Sequence, residues 1–285
     1  AVMVELPLVI CNIQRGGPST GLPTKTEQSD LLQCMFGRNG DSPVPVLAAS
    51  SPADCFETAI EACRIAVKYM VPVILLSDGY IANGSEPWRL PDIESLPDLQ
   101  TEFWSQADGF QPYSRDETTL ARPWAVPGTP GLEHRIGGLE KEDLTGNVSY
   151  SATNHQKMTN YRAEKVRRIA SEIPDLEING DQEGDLLVVG WGSTLGAVTG
   201  AVRQARGEGM KVSQIHLRHI NPFPSDLGEI LTRFQRILVP EMNSGQLALL
   251  LRAEYLREVI SQSKVKGKPF FRYEIYDKIK ETLEA

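Results

Sequence analysis

The stretch that decides the fold is residues 6–25, which read LPLVICNIQRGGPSTGLPTK. It begins with an apolar run, Leu6 to Ile13, and continues directly into a loop of glycine, proline and hydroxyl residues, Arg15 to Thr24. Apolar runs of this length mark buried strands, whereas glycine and proline mark turns. We therefore predict a buried parallel strand over residues 6–13, followed at once by a candidate binding loop.

The next segments complete a strand, loop, helix, strand unit. A first helix is predicted to start at 27–32, and a second at Ser50–Asp54, where a cap residue, an early proline and an acid precede a periodic apolar pattern. The predicted buried face of the second helix consists of Phe56, Ile60, Cys63 and Val67. A buried strand over 71–76 then ends at Ser77–Gly79, the expected carboxyl edge of a sheet. This order predicts an α/β fold with a parallel sheet.

The middle of the chain lacks a sustained period. Residues 82–154 are rich in proline, glycine and charged residues, and they contain three of the four tryptophans. A segment of this length is too long for a passive connector, so we expect an ordered excursion that covers a neighbouring surface. A helix is predicted from His155 to about Ile173, with an apolar stripe opposite a solvated Lys/Arg face.

The last third is the most regular part of the chain. Strands are predicted at 186–190, 211–217 and 237–239, and each is followed by a helix start. We read this as a second α/β domain that begins near Asp185. The predicted division of the chain is 1–110, 111–180 and 181–285.

Composition excludes several classes of protein. The chain has 29 Lys and Arg against 37 Asp and Glu, which gives a net charge of −8, and it has no basic run that would serve nucleic acid or an anionic membrane. No apolar run approaches the roughly 18 residues of a membrane span. Four scattered cysteines without a C-x-x-C pair argue against a zinc site, an iron-sulfur cluster or a disulfide framework. We expect a soluble cytoplasmic protein that binds no metal through this chain.

Two glycine patterns resemble nucleotide-binding motifs incompletely. Gly16-x4-Gly21 has Leu22 where a P-loop requires lysine, and Gly190-x-Gly192 lacks the third glycine of a dinucleotide fingerprint. The favoured interpretation of Gly190 to Gly196 is a tight turn from strand to helix. A stand-alone nucleotide-binding α/β enzyme remains an alternative. The four histidines have neither a nucleophile partner nor metal spacing in the sequence.

The loop from Arg15 to Lys25 has a more specific chemistry. It combines an arginine, three glycines, three hydroxyl residues and a lysine directly after the first strand. A guanidinium is a planar bidentate donor, and hydroxyls and backbone amides add further donors for a carboxylate or a phosphate. The loop is therefore the main candidate site, with a purely structural turn as the alternative.

These residues carry a resemblance to a known family. Residues 9–32, together with PVILLSDGY at 72–80 and GLEHRIGG at 131–138, resemble alpha subunits of the 2-oxoacid:acceptor oxidoreductases, of the 2-oxoglutarate:ferredoxin type. The resemblance implies part of a thiamine-diphosphate pyrimidine-binding, transketolase-like domain over 1–110, then a connecting region, then a transketolase C-terminal-like α/β domain over 181–285. It implies oxidation of 2-oxoglutarate with coenzyme A to succinyl-CoA and CO2, with ferredoxin as electron acceptor.

The resemblance also implies roles for residues of the loop. Arg15 matches the arginine that holds the carboxylate of the 2-oxoacid, and Gly16, Thr20, Thr24 and Lys25 match the part that faces the substrate. A dicarboxylate needs a second cationic or hydroxyl partner. We assign the distal carboxylate to Lys25 or Thr24, with Arg135 as an alternative.

The sequence also departs from the family pattern. A Tyr-Pro-Ile-Thr-Pro segment and the glutamate that activates the cofactor do not occur before Ala1. We therefore expect the C-terminal portion of a longer alpha subunit, inactive alone and without a catalytic residue of its own. The resemblance places Mg²⁺ and an iron-sulfur cluster on a beta subunit, in a dimer of heterodimers that uses ferredoxin. A non-catalytic scaffold subunit is the alternative, and the identity of the 2-oxoacid and the direction of reaction stay open.

Overall fold

The computed structural model describes residues 1–285 and contains two four-stranded sheets and one two-stranded sheet. The strands are β1 (Leu8–Gln14), β2 (Val46–Ala48), β3 (Pro72–Asp78), β4 (Phe103–Trp104), β5 (Trp124–Ala125), β6 (Gly184–Trp191), β7 (Val212–Leu217), β8 (His219–Asn221), β9 (Phe234–Glu241) and β10 (Ile260–Ser263). The α-helices are α1 (Leu31–Phe36), α2 (Asp54–Tyr69), α3 (Gly79–Ala82), α4 (Ala152–Arg168), α5 (Leu195–Gly207), α6 (Leu227–Thr232), α7 (Gln246–Tyr255) and α8 (Arg272–Glu284). The α/β class predicted from the sequence is confirmed.

The first sheet has the order β1-β3-β2-β8. β3 is parallel to both β1 and β2, and every residue of β3 is buried. β8 pairs antiparallel with β2, although it comes from the last third of the chain. The two sheets are therefore linked by a strand as well as by packing.

The prediction that the first strand is buried is wrong. β1 is parallel as predicted, but it lies at the edge of its sheet, and Leu8, Ile10 and Ile13 are 46%, 44% and 50% exposed. The reason is that β1 pairs only with β3, and of its apolar side chains only Val9 packs against a core cluster. An apolar run indicates a strand, but it does not indicate how many neighbours that strand has.

The predicted face of α2 is also wrong. The helix is present, but its buried residues are Thr58, Ala62, Ile65, Ala66 and Tyr69, while the predicted set stays partly exposed. Small alanines allow α2 to approach the sheet closely. Phe56, from the predicted face, instead packs against Trp88 of the excursion, with ring centroids 5.2 Å apart.

The middle segment is ordered around ion pairs, and this corrects the prediction for α4. Two of its basic residues, Arg162 and Lys165, are buried rather than solvated. Arg162 pairs with Glu140 of the excursion, and Lys165 pairs with Glu5, which precedes β1. Arg167 does remain on the exposed side of the helix. Periodicity does not reveal these pairs, because both carboxylates lie outside the helix.

The second sheet is parallel throughout, in the order β10-β9-β6-β7. Alternate residues of β6 face opposite layers: Leu186 and Val188 pack against α5 and α8, while Leu187 and Val189 pack against α6 and α7. The second of these layers also includes α1 and one face of the first sheet. One continuous core therefore joins the two sheets. The domain limits 1–110, 111–180 and 181–285 stay a prediction.

Candidate functional site

The loop after β1 closes on itself. The Gly16 N–H donates to the Lys25 carbonyl at 2.9 Å, and the Leu22 N–H donates to the Gly16 carbonyl at 2.9 Å. Gly21 lies inside this closure with φ +46°, and a Cβ there would be 2.3 Å from the Gly16 oxygen, so that only glycine fits. These contacts give the loop one defined backbone shape.

The structure places five of the six predicted substrate residues on this loop. Arg15, Thr20, Thr24 and Lys25 are exposed, and Gly16 is buried beneath them. The Arg15 guanidinium donates through Nη1 to the Thr20 carbonyl, which leaves its other N–H groups free. No ion pair involves Arg15 or Lys25. The loop therefore presents two unpaired cations and two hydroxyls to an incoming anion.

The loop is anchored to the end of β3 by Asp78. The Thr26 hydroxyl donates to Asp78 Oδ1 at 2.9 Å, and the same oxygen accepts the N–H groups of Tyr80 and Ile81 at 2.9 and 3.2 Å. Asp78 is thus both the N-cap of α3 and the support of the loop. The loop from Arg15 to Lys25 and the turn from β3 into α3 therefore both lie at the carboxyl edge of the first sheet, as predicted for an α/β site.

Glu27 is a candidate residue that the sequence analysis assigned only to a helix start. α1 begins later, at Leu31, and Glu27 is instead buried behind the loop. A Cβ on Gly16 would lie 3.5 Å from Glu27 Oε1, and no hydrogen bond holds this carboxylate. Its position directly behind the loop of cations makes Glu27 a functional candidate.

Gln28 connects the loop to the second sheet. Its Nε2 donates to the Trp191 carbonyl at 2.9 Å, and its Oε1 accepts the Met242 N–H at 3.0 Å. Its backbone N–H donates to the Met242 carbonyl at 2.9 Å, and its carbonyl accepts Asn243 Nδ2 at 2.8 Å. A fully buried side chain thus fixes the loop against the ends of β6 and β9.

Gly190 and Gly192 serve packing and a turn, which confirms the favoured interpretation of that motif. Gly192 has φ +55°, and a Cβ there would be 2.5 Å from Gln28 Nε2. A Cβ on Gly190 would be 2.9 Å from His216 Nδ1. Burial lowers the pKa of His216 to about 4, so the imidazole is neutral near pH 7.

Arg135 belongs to the excursion and not to the loop from Arg15 to Lys25. It is exposed on the excursion, and its charge adds to the effect of burial in lowering the pKa of Lys141. Lys141 is tied to the start of α4, because its carbonyl accepts Asn154 Nδ2 at 2.8 Å. No hydrogen bond or ion pair joins Arg135 to the loop from Arg15 to Lys25.

The presence or absence of metal-binding groups, membrane-spanning helices and cavities in residues 1–285 also bears on function. No group of three or more His, Cys, Asp or Glu side chains is arranged to hold a metal ion, and all four cysteines are free. None of the helices combines the length and apolar character needed to cross a membrane. A cavity of about 970 Å³ lies between α2 and the excursion and includes none of the predicted substrate residues.

Two family models match parts of this chain. Residues 1–153 match the family model described as "Pyruvate flavodoxin/ferredoxin oxidoreductase, thiamine diP-bdg", and residues 184–270 match pyruvate:ferredoxin oxidoreductase core domain II. The chain therefore belongs to the 2-oxoacid:ferredoxin oxidoreductase family, in which its relatives are alpha subunits.

Among those relatives, the 2-oxoglutarate oxidoreductase subunit KorA of Mycobacterium tuberculosis is 58% identical over 276 residues, which are 96% of this chain and 42% of that protein. The 2-oxoglutarate synthase subunit KorA of Methanocaldococcus jannaschii is 34% identical, over 94% of this chain and 71% of that protein. The 2-oxoglutarate:ferredoxin oxidoreductase of Magnetococcus marinus, solved with 2-oxoglutarate, coenzyme A and succinyl-CoA, superposes with a TM-score of 0.92 at 35% identity, over 99% of this chain and 50% of that one. This chain thus spans less than half of the first relative.

The residues of this chain fit only part of a thiamine-diphosphate site. A diphosphate is commonly bound through a divalent cation with carboxylate ligands, and no such ligand set converges in residues 1–285. The exposed cations and hydroxyls of the loop fit a carboxylate instead. The diphosphate end of the cofactor therefore does not fit on these residues alone.

Proposed function

We propose that this chain supplies the substrate-binding loop of a thiamine-diphosphate-dependent 2-oxoacid:ferredoxin oxidoreductase that acts on 2-oxoglutarate. The whole enzyme would convert 2-oxoglutarate, coenzyme A and oxidised ferredoxin to succinyl-CoA, CO2 and reduced ferredoxin. The observation that carries the proposal is the closed loop with unpaired Arg15 and Lys25 at the carboxyl edge of the sheet. The M. tuberculosis relative, 58% identical and described as a 2-oxoglutarate oxidoreductase subunit, supports this choice of substrate.

The proposed roles follow from the types of donor. The Arg15 guanidinium binds the carboxylate next to the keto group, because it offers two parallel N–H donors. Lys25 or the Thr24 hydroxyl binds the distal carboxylate, and Gly16 and Thr20 shape the pocket between them. Arg135 is the second candidate for the distal carboxylate. The function of the chain is to orient the substrate, which lowers the entropic cost of the reaction step.

The remaining parts of the enzyme would come from elsewhere. We place Mg²⁺ and the iron-sulfur cluster on a beta subunit, since the residues described here form no metal-binding group. The acceptor is ferredoxin, and the assembly is a dimer of heterodimers in the cytoplasm. Four free cysteines are compatible with that reducing compartment.

The test uses the full-length alpha chain co-expressed with its beta subunit. Reduction of a viologen dye is measured with coenzyme A and either 2-oxoglutarate or pyruvate. We expect 2-oxoglutarate to be preferred, and Arg15→Lys to lower kcat/KM about 10- to 100-fold, because lysine keeps the charge but loses the bidentate geometry. Arg203→Lys, an exposed arginine outside the loop, is the matched control.

Two results would decide against the proposal. A well-assembled complex that reduces no dye with any 2-oxoacid would favour a scaffold role. If Lys25→Ala and Arg135→Ala both leave the discrimination between 2-oxoglutarate and pyruvate unchanged, then the distal carboxylate is bound by other residues.

A further inference from the structure

The cavity between α2 and the excursion lies at the edge of the first sheet opposite to the substrate loop, Arg15 to Lys25. Its wall includes Met70, two residues before β3, whereas the substrate loop follows the far end of β1. β1 and β3 are parallel and seven residues long, so the cavity and the loop are about 20 Å apart. A small molecule in the cavity would therefore not contact the substrate loop.

Two buried arginines form part of the cavity wall. The Arg115 side chain is 6% exposed, and Arg122 is 5% exposed. Arg115 donates through both terminal nitrogens to Glu5, but its Nε–H, which is also buried, donates to no group. Arg122 donates only to backbone carbonyls, and its Nη2 donates to no group. Buried donors are normally paired, so the wall has unused capacity to bind an acceptor.

The buried charges behind the two arginines do not balance. Arg115, Arg122 and Lys165 lie together with one carboxylate, that of Glu5. Arg122 pairs with no carboxylate, and Glu140 of the excursion has its own cation in α4. Burial and repulsion from both arginines lower the pKa of Lys165 to about 8, although Glu5 raises it. A further anion beside the arginines would offset this repulsion.

The acidic residues of the cavity do not supply that anion. Asp98, Glu102 and Asp116 are all exposed, and none of them pairs with either arginine. Asp116 Oδ1 instead accepts the N–H groups of Thr118 and Thr119 at 3.1 and 2.6 Å. Water and salt screen these exposed carboxylates, whereas they screen the buried guanidiniums much less. The buried part of the wall is therefore cationic.

The wall also contains a group of aromatic side chains. Phe103 and Trp104 of β4 are 54% and 41% exposed, and both line the cavity together with Trp124 of β5. The rings of Phe103 and Trp124 pack edge to face, with centroids 5.9 Å apart. The indole N–H of Trp124 is buried and donates to no group. These rings offer apolar faces for a planar molecule, and the indole adds a third unpaired donor.

We propose that this cavity is a binding site for a small organic anion with a planar apolar body. Arg122 and Arg115 bind its carboxylate or phosphate group, and Phe103, Trp104 and Trp124 contact its body. The volume of about 970 Å³ is at the upper end of the range typical of small-molecule pockets, about 300–1,000 Å³. The inference does not rest on the proposed function, because none of these residues belongs to the substrate loop.

A carboxylate from a partner protein is the rival occupant, but the burial of the arginines favours a small molecule. Both guanidiniums belong to the buried part of the wall, so a flat protein surface placed over the cavity would not reach them. A partner would have to insert a whole acidic side chain. A small anion needs only to enter a cavity that is already formed.

The test measures binding of 1-naphthoate to the assembled full-length complex by calorimetry. 1-Naphthamide is the neutral analogue, and inorganic phosphate is the anion without an apolar body. We expect naphthoate to bind at least about tenfold more tightly than either. We expect Arg122→Gln to raise the Kd for naphthoate about 10- to 100-fold, and Trp124→Phe, which keeps a ring but loses the N–H, to raise it about 2- to 10-fold.

Two matched controls locate the binding. Arg89→Gln removes an exposed arginine of the excursion that makes no ion pair, and it should leave the Kd for naphthoate unchanged. Arg15→Lys should also leave it unchanged, which separates this cavity from the substrate loop. Naphthoate should raise the Tm of the unmodified complex, since a ligand that binds only the folded state stabilises it, and should raise the Tm of Arg122→Gln less.

Several results would overturn the site. The inference fails if naphthoate binds more weakly than about 1 mM, or if it binds as tightly to both Arg122→Gln and Trp124→Phe as to the unmodified complex. It also fails if Arg15→Lys, and not Arg122→Gln, abolishes binding. If naphthoate does not bind and Arg122→Gln instead prevents assembly with the beta subunit in size-exclusion chromatography, then the arginines bind a carboxylate of that partner.

Discussion

Glu5 is a buried charge that joins three parts of this chain. It is 2% exposed, and its two oxygens accept the Arg115 Nη1 and Nη2 groups at 2.9 and 2.8 Å, while Lys165 Nζ also donates to it. Arg122 lies nearby and donates through Nε to the Glu5 carbonyl at 3.1 Å. The Glu5 carboxylate therefore lies among three cations, Arg115, Arg122 and Lys165. It joins the turn before β1 to the excursion and to α4.

The magnitude of its contribution can be worked out in two ways. Burial alone would raise the pKa of Glu5, but Lys165 and Arg115 outweigh it and hold the pKa at about 2, against an ordinary value of 4.5. This depression corresponds to about 3 kcal/mol in favour of the ionised form. Removing one partner from a buried ion pair commonly costs about 3–5 kcal/mol. We therefore expect Glu5→Gln to lower the free energy of unfolding by about 3–5 kcal/mol.

The assay is urea denaturation at pH 7 followed by tryptophan fluorescence, with Glu258→Gln, an exposed carboxylate without an ion pair, as the control. Because the cost arises from stranded positive charge, the double variant Glu5→Gln, Lys165→Met should be more stable than Glu5→Gln alone. A loss below about 1 kcal/mol, or a double variant that is no more stable than the single one, would refute this reasoning.

Three further outcomes are expected. Gln28→Ala leaves the Met242 N–H unpaired in the interior and removes one of the two donors to the Trp191 carbonyl, which keeps the Thr194 hydroxyl, so the free energy of unfolding in urea should fall by about 1–3 kcal/mol; an unchanged midpoint contradicts the bridge. Gly192→Ala should destabilise the protein by about 1–3 kcal/mol in thermal denaturation, because Gly192 has a positive φ and its new Cβ would lie 2.5 Å from Gln28 Nε2. Gly196→Ala is the control: its new Cβ would have no atom within 4 Å, so it should stabilise α5 by about 0.5–1 kcal/mol. The pKa of Glu61, like that of Glu5, is held at about 2, because hydrogen bonds from Arg64 and His219 outweigh the effect of burial. The contribution of Glu61 to the free energy of unfolding is therefore complete above about pH 4.5 and is lost as the pH falls towards 2. A free energy of unfolding that stays constant over that pH range would contradict this.

Periodicity and turn chemistry predict the long elements of this fold. β3, β6 and β9 are apolar runs ending in turns, and a fully buried parallel strand has this pattern because both of its faces are covered. β2 and β8 were not predicted. Each has only three residues, so neither is long enough to show a period, and their pairing depends on a partner about 170 residues away.

The environments of individual side chains divide in the same way between local and distant information. Arg15 to Lys25 could be identified because the loop is closed by bonds among its own residues. The burial of Lys165 could not, because its partner Glu5 lies 160 residues earlier. Side-chain type alone favours a solvated lysine, and only the tertiary structure brings the carboxylate to it.

The contacts of the substrate loop make its geometry depend on the second sheet. Gln28 fixes the end of the loop to β6 and β9, and Gly267 supports Lys25 from the other side. Any displacement of the second sheet relative to the first would therefore move the cation proposed for the distal carboxylate before it moved Arg15, which is supported by its own loop through Thr20. A disturbance at Gln28 should consequently affect the choice between a dicarboxylate and a monocarboxylate more than the binding of the carboxylate that both substrates share.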